Sequence, residues 1–352
     1  MGATATIKRI AERVTPVPVW NVARRTLGKQ HDRLPEHLLR NHRALPAHKV
    51  SVLENSIRTH YHKGWRAEKE YLVTAYERDL EDHLHNRIRD DRQRIIPWLD
   101  GVRPLNDTRI LEIGCGTGSS TVALCEQGAV VTGIDVDEDA LIVARDRCQV
   151  YDVDAILKAI NGQQIAAAFS PNSFDLVVYF ACLEHMTIAE RLESLRQAWS
   201  LLPSDGMMAI VETPNRLWYR DDHTAMLPFF HWLPDELAFA YSQFSTRDNF
   251  RELYRDYTAG SKEHFLRRGR GMSFHEIEVA IAPTYELKII SSLSQIDQYA
   301  RHVSDNGKHY KSTLRKLFPG IHHAFFDEYL DLVIRKGLAA QTKKPDDSSD
   351  PA

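Results

Sequence analysis

The sequence predicts an α/β fold: a seven-stranded, mostly parallel sheet with helices on both faces. Two observations carry this. From residue 109 onward, short apolar runs are separated by helical stretches, the alternation of a parallel sheet covered on both sides. The first of these runs also feeds a glycine-rich turn that opens a helix. Strands are expected at 109–113, 129–135, 155–160, 174–180 and 206–212, with helices near 118–127, 138–148 and 188–202. Ser273 reads as the N-cap of a helix through Ala282, followed by a strand at 284–291 and a last strand at 329–336.

The flanks differ from this core. Residues 1–64 read as a basic arm, loosely docked and broken by Pro16, Pro18, Pro35 and Pro46 into pieces too short for long helices. Within 65–213, Leu72, Tyr76, Leu80, Leu84 and Ile88 recur every fourth residue, the stripe of an amphipathic helix over 66–99 that Pro97 should close. Residues 214–272 lose the strand–helix rhythm but hold Trp218, Phe229, Phe230, Trp232, Phe239, Tyr241 and Phe244. So aromatic a segment buries too much surface to stay a solvated linker, and it is read as an inserted helical cap or lid. Residues 273–338 complete the sheet around a polar, partly helical insertion at 292–322. The tail over 339–352 lacks aromatic and branched apolar residues from Gln341 on and should be disordered.

Bulk composition narrows the function classes. With 352 residues, 43% of them hydrophobic, the chain can bury one large core and a smaller satellite. No apolar run reaches the roughly 18 residues of a spanning helix, and the N-terminus lacks the apolar core of a secretory signal, so a cytoplasmic location is expected. Cys115, Cys125, Cys148 and Cys182 form no metal-finger spacing and read as buried thiols. The net charge of −3 hides an asymmetry: residues 1–50 carry ten Lys and Arg against three acids, +7 locally, leaving −10 for the rest. The basic arm, interleaved with Ile7, Ile10, Val14 and Trp20, suits a peripheral contact with anionic lipid or a docking role. The acidic remainder argues against nucleic acid as a partner.

The chemistry gathers in RILEIGCGTGSSTVALC, residues 109–125. Gly114, Gly116 and Gly118 allow positive φ and close approach of a ligand to the backbone around Cys115, and the free amides at the helix start form a polar socket. Glu112, two residues ahead, would repel a pyrophosphate but suits an ammonium. Asp135 ends the second strand 17 residues after Gly118, where an acid can take both hydroxyls of a ribose, and Val136 can cover an adenine face.

With these residues in place, the chain resembles a class I, Rossmann-like S-adenosylmethionine (SAM)-dependent methyltransferase over roughly 109–213. Its motifs are similar to the quinone and sugar O-methyltransferase type, with an LEH ending after the fourth strand. The resemblance implies SAM as cofactor, held by Glu112, Gly114, Cys115, Gly116, Gly118, Asp135 and Val136. It also implies an adenine contact after the third strand, where Asn161 beside Gly162 stands in place of the usual acid, and a cofactor contact at Phe180, the end of the fourth strand.

Acceptors belong beyond the C-terminal ends of the strands. Glu184, His185 and Glu212 fall there, and Asp222 and His223 of the insertion could reach in. His185 is read as the general base, assisted by Glu184, with His223 as a further candidate; an imidazole accepts a proton near neutral pH, as a hydroxyl acceptor requires. A Mg²⁺ site on Glu184 and His185 is not favoured, because the further glutamate seen in some quinone-pathway relatives is replaced by Ala181, leaving Asp222 or His223 to complete it. The function expected is O-methylation of a hydroxyl on a sugar, a glycan or another bulky small molecule. The alternatives are a quinone-precursor or other small-molecule methyltransferase and a non-catalytic partner protein on the same fold.

Overall fold

A computed structural model describes residues 44–63, 75–255, 257–258, 260–296 and 303–337. Seven strands form one sheet in the order β3-β2-β1-β4-β5-β7-β6. They are β1 (Arg109–Ile113), β2 (Val130–Asp135), β3 (Ile156–Ala159), β4 (Leu176–Phe180), β5 (Met207–Pro214), β6 (Lys288–Ser292) and β7 (Tyr329–Arg335). The first five run parallel, while β7 lies antiparallel between β5 and β6. The central strands β1 and β4 are buried almost throughout, as expected of apolar runs covered on both faces.

Strand order reverses between β1 and β4. From β1 the chain winds outward to β2 and β3, then returns to β4 and proceeds the other way to β5. Such a switch opens a crevice at the C-terminal ends of the two diverging strands, and the glycine-rich turn and the loop after β4 lie there.

The helix leading into the sheet departs from the periodic reading. One continuous helix, α2, spans 76–102, with α-helical Tyr76–Glu81, Arg87–Asp90 and Ile96–Val102 joined by π-helical Asp82–Asn86 and Asp91–Ile95. Leu80, Leu84 and Ile88 are buried as the stripe requires; Leu72 lies outside the described residues. Pro97 does not close the helix. It enters the last α-helical segment directly after a π segment, whose widened ladder absorbs the amide that proline lacks.

The described part of the N-terminal segment also differs from the expectation. α1 (Ala47–Ser56) continues as a π-helical turn, Ile57–Tyr61, and Pro46 stands at its N-cap with φ −65°, starting a helix where breakage was expected. Leu53 and Ile57 pack with Val143 and Tyr151 of α4 (Glu138–Tyr151) in a buried cluster, so this stretch docks firmly. The rest of the basic arm, residues 1–43, and the tail from 338 lie outside the described residues.

α3 (Ser119–Cys125) and α6 (Ile188–Leu201) complete the core layers, with a single turn, α5 (Ile165–Ala168), between β3 and β4. A capping box of Thr187 and Glu190 starts α6. Residues 215–272 project from the end of β5 and are closed at their base: the Arg216 amide donates to Met272 O at 2.8 Å and the Met272 amide to Pro214 O at 2.9 Å. Inside are α7 (Asp235–Tyr241), α8 (Asp248–Arg255) and α9 (Ser261–Leu266), with their own apolar cluster of Ala225, Leu227, Phe230, Ala238, Phe239, Phe250 and Phe265.

α10 (Phe274–Ala280) begins at Ser273 with a capping box to Glu276. The strand expected at 284–291 starts later, because Thr284–Glu286 form a 3-10 turn in which the Thr284 amide and hydroxyl both donate to Glu278. α11 (Asp305–Leu317) occupies the second insertion.

Candidate functional site

The glycine-rich turn requires its glycines for three different reasons. All three have positive φ, +77°, +50° and +79° at 114, 116 and 118. A Cβ at Gly114 would lie 2.3 Å from Cys182 Sγ on the loop after β4, and one at Gly118 would press on Ala144 of α4 at 3.0 Å. At Gly116 a Cβ would meet nothing within 4 Å. That open side of the backbone is where a ligand can approach.

Glu112 and Asp135 support this turn from two directions. Glu112 is fully buried beneath it and accepts hydrogen bonds from the hydroxyls of Ser120 and Thr121, the latter at 2.5 Å. Burial pushes its pKa up to about 7, against the pull of those two donors. The carboxylate expected to face a ligand ammonium therefore braces the start of α3, and any influence on a ligand passes through the turn. Asp135 does face the crevice. Its Oδ2 accepts from the Gly116 amide at 2.8 Å and its Oδ1 from the Asp137 amide at 2.9 Å, which leaves each oxygen a further lone pair for a hydroxyl. Burial raises its pKa, partly offset by these amides.

The remaining cofactor candidates divide. Val136 is well exposed beside Asp135, an apolar face open to a ring. Cys115 is buried and turned toward Gly133, so its side chain packs the turn onto β2. Asn161 Oδ1 already accepts from the Gln163 amide at 2.9 Å, so a ligand would share that oxygen. Gly162 is a packing glycine: a Cβ there would lie 2.9 Å from Ser194 Oγ of α6. Phe180 is buried at the end of β4.

The three catalytic candidates are brought together by a segment the sequence did not single out. His185 Nδ1 donates to the Arg267 carbonyl at 2.8 Å, the Arg270 amide donates to Glu184 O at 2.8 Å, and Thr224, next to His223, donates its hydroxyl to Gly269 O at 2.7 Å. With its Nδ1 proton so committed, His185 presents the Nε2 lone pair, 3.9 Å from Glu184 Oε1. Glu184 is fully buried: Oε2 receives the Thr213 hydroxyl at 3.5 Å, Oε1 has no hydrogen-bond partner, and burial raises its pKa. His185 itself is half exposed at the crevice.

Burial, reinforced by the nearby His185, pulls His223 down to about pKa 4. Its Nδ1 lies 3.2 Å from Thr224 Oγ1, whose proton is already given to Gly269, so His223 is the donor and stays neutral near pH 7. Asp222 is taken by Arg220 at 2.6 Å, and Glu212, with φ +57° at the β5 bulge, lies 3.9 Å from Arg94. Among the described residues, no group of three His, Cys, Asp or Glu is arranged to hold a metal ion.

Asp221, adjacent to the singled-out Asp222, is the organising carboxylate of the insertion. It accepts from the amides of His223, Thr224, Ala225 and Met226 and faces His231 Nε2 at 3.3 Å, which together hold its pKa at about 2 despite burial. Two adjacent aspartates gave no sequence signal for choosing between them.

Residues 110–206 match a family model described as "Methyltransferase domain". Over these residues the chain is similar to a methyltransferase domain, carried on the Rossmann-like sheet described above. The chain is 33% identical over 159 residues to the ubiquinone biosynthesis O-methyltransferase of Paracidovorax citrulli, covering 44% of this chain and 58% of that protein. It is 36% identical over 89 residues to that of Thiobacillus denitrificans, covering 25% and 38%. The chain thus spans less than two thirds of these relatives. Among solved structures, a SAM-dependent methyltransferase from Methanosarcina mazei aligns with a TM-score of 0.40 at 16% identity, over 69% of this chain and 98% of that one.

Proposed function

We propose that this chain transfers the methyl group of SAM to a hydroxyl of a bulky small molecule. The observation that carries the proposal is the imidazole of His185: its Nδ1 proton is fixed on the Arg267 carbonyl, its ring is half exposed on the loop after β4, and its Nε2 lies 3.9 Å from Glu184 Oε1. That is the tautomer a general base needs, on a loop whose Cys182 packs against the first glycine of the turn.

The residues of the turn fit SAM. Asp135 keeps lone pairs for ribose hydroxyls, Val136 offers an apolar face to adenine, and the open side of Gly116 admits the ligand. SAM supplies an electrophilic methyl group on sulfur, so the protein's task is alignment and proton removal. His185 Nε2 takes the hydroxyl proton, and the imidazolium so formed is stabilised by the Glu184 carboxylate, whose buried Oε1 lacks another partner. His223, kept neutral, adds no competing positive charge. The insertion, fastened to His185 and Glu184 through residues 267–270, acts as the acceptor lid.

Among hydroxyl acceptors, the relatives named for ubiquinone biosynthesis favour a phenolic quinone precursor over the sugar or glycan placed first from sequence. Transfer of labelled methyl from SAM to a panel of polyprenyl phenols and of sugars tests this. Labelling of a phenol, with turnover about 10²–10⁴ lower in His185→Ala at nearly unchanged SAM affinity, is expected. SAM binding without transfer to any hydroxyl would favour a non-catalytic role, and full turnover in His185→Ala would remove the base from His185.

A further inference from the structure

The glycine-rich turn is held from behind by side chains that the mechanism above does not use. His83, in the first π segment of α2, is buried with Nδ1 2.9 Å from the hydroxyl of Thr117, the residue between Gly116 and Gly118. Arg147 of α4, fully buried, donates from Nε to the Thr117 carbonyl at 2.7 Å and from a terminal nitrogen to the His83 carbonyl at 2.7 Å. One guanidinium and one imidazole thus grip Thr117 by backbone and side chain together. Both grips end on α2, which precedes the matched domain segment.

The chemistry of the grip is costly, which argues that its hydrogen bonds matter. Arg147 forms no ion pair with a carboxylate among the described residues, and burial lowers its pKa to about 10. A buried cation without a counter-ion is disfavoured unless its donors are needed, and an apolar side chain would fill the space at less cost. Desolvation holds His83 well below the usual imidazole range, so it is neutral. Its Nε2 lies 3.8 Å from Asp79 without a hydrogen bond, so the hydrogen bond that His83 makes through its ring is the one between Nδ1 and the Thr117 hydroxyl.

The outer side of this assembly is fixed in turn. His62 Nε2 lies 2.9 Å from the same Asp79 oxygen, and the Tyr61 ring is 4.6 Å from that of His83. Lys49 and Ser56 of α1 bond to Asp152 and Asp146, at the end of α4 and within it. Helices α1 and α2 therefore reach the turn through one connected set of contacts.

We propose that His83 and Arg147 are positioning residues for the cofactor turn: they hold Thr117 so that docking of α1 and α2 sets how well the turn receives its ligand. This rests on the reading of the turn as the SAM site.

The test uses the full chain and two readouts: hydrogen exchange of the amides at 115–118 without ligand, and calorimetric affinity for S-adenosylhomocysteine. His83→Ala and Thr117→Val should each speed exchange at 115–118 by about tenfold and weaken binding by about tenfold. The double variant should be no worse than either single, because both remove the same bond. Thr117→Ser, which restores the hydroxyl, should return both readouts to near wild type. Arg147→Lys keeps the charge but cannot span both carbonyls and should behave like His83→Ala. Wild-type exchange in His83→Ala and Thr117→Val, or a double variant equal to the product of the singles, would overturn the proposal. Should His83→Ala fail to fold, the Thr117→Val and Thr117→Ser pair decides alone. Because exchange is read without ligand, a wild-type chain that binds no S-adenosylhomocysteine would overturn the SAM reading and leave the positioning result standing.

Discussion

Replacing Glu112 with Gln should change how the stability of this protein depends on pH. Glu112 is fully buried, both its oxygens accept from hydroxyls, and its pKa stands near 7 against 4.5 for an exposed glutamate. A carboxyl with a raised folded-state pKa binds more protons folded than unfolded between those two values, so its ionisation removes stability as pH rises through that window. From pH 5 to pH 8 the loss attributable to this one group comes to about 2–3 kcal/mol. Gln keeps one oxygen to accept from Ser120 or Thr121 and removes the titration. The assay is urea unfolding of both proteins at pH 5, 6, 7 and 8, and the quantity read is the difference between their free energies, which cancels every other titrating group. Glu112→Gln should gain on wild type steadily across that range. Parallel curves would show that Glu112 ionises in the folded state as readily as in the unfolded chain, refuting the buried, hydroxyl-bound geometry beneath the turn.

Two further outcomes concern the glycine-rich turn and the insertion. Gly114→Ala combines φ +77° with a Cβ 2.3 Å from Cys182 Sγ, so it should cost about 1–3 kcal/mol of stability by chemical denaturation. Adding Cys182→Ala should recover only part, since Cys182 Cβ would remain at 2.7 Å. The insertion at 215–272 should lose protease sites when S-adenosylhomocysteine and an acceptor analogue are bound, with identical cleavage patterns counting against its role as a lid.

Much of the sheet was readable because its signals are local and strong. The run RILEI is buried from Ile110 to Ile113, and the glycines after it have the positive φ that their spacing implied. What escaped the reading depends on contacts between distant residues. Nothing around Arg267 marks it as the carbonyl that fixes the His185 tautomer 82 residues away, because a backbone acceptor leaves no trace in residue identity. Proline was over-weighted twice: Pro46 starts α1, and Pro97 is accommodated by a π segment, a ladder shift that periodicity at every fourth residue does not reveal. Glu112 was assigned by the sign of its charge alone, whereas the structure turns it inward onto the Ser120 and Thr121 hydroxyls, a use that the adjacent SST could have suggested.

The central claim is that the turn and Asp135 together hold SAM, and titration calorimetry of wild type and Asp135→Ala against SAM tests it most directly. Wild type should bind with one site per chain, and Asp135→Ala should bind about 1.5–3 kcal/mol more weakly through loss of hydrogen bonds to a charged group. No heat of binding in wild type, or equal affinity in the two proteins, would contradict it.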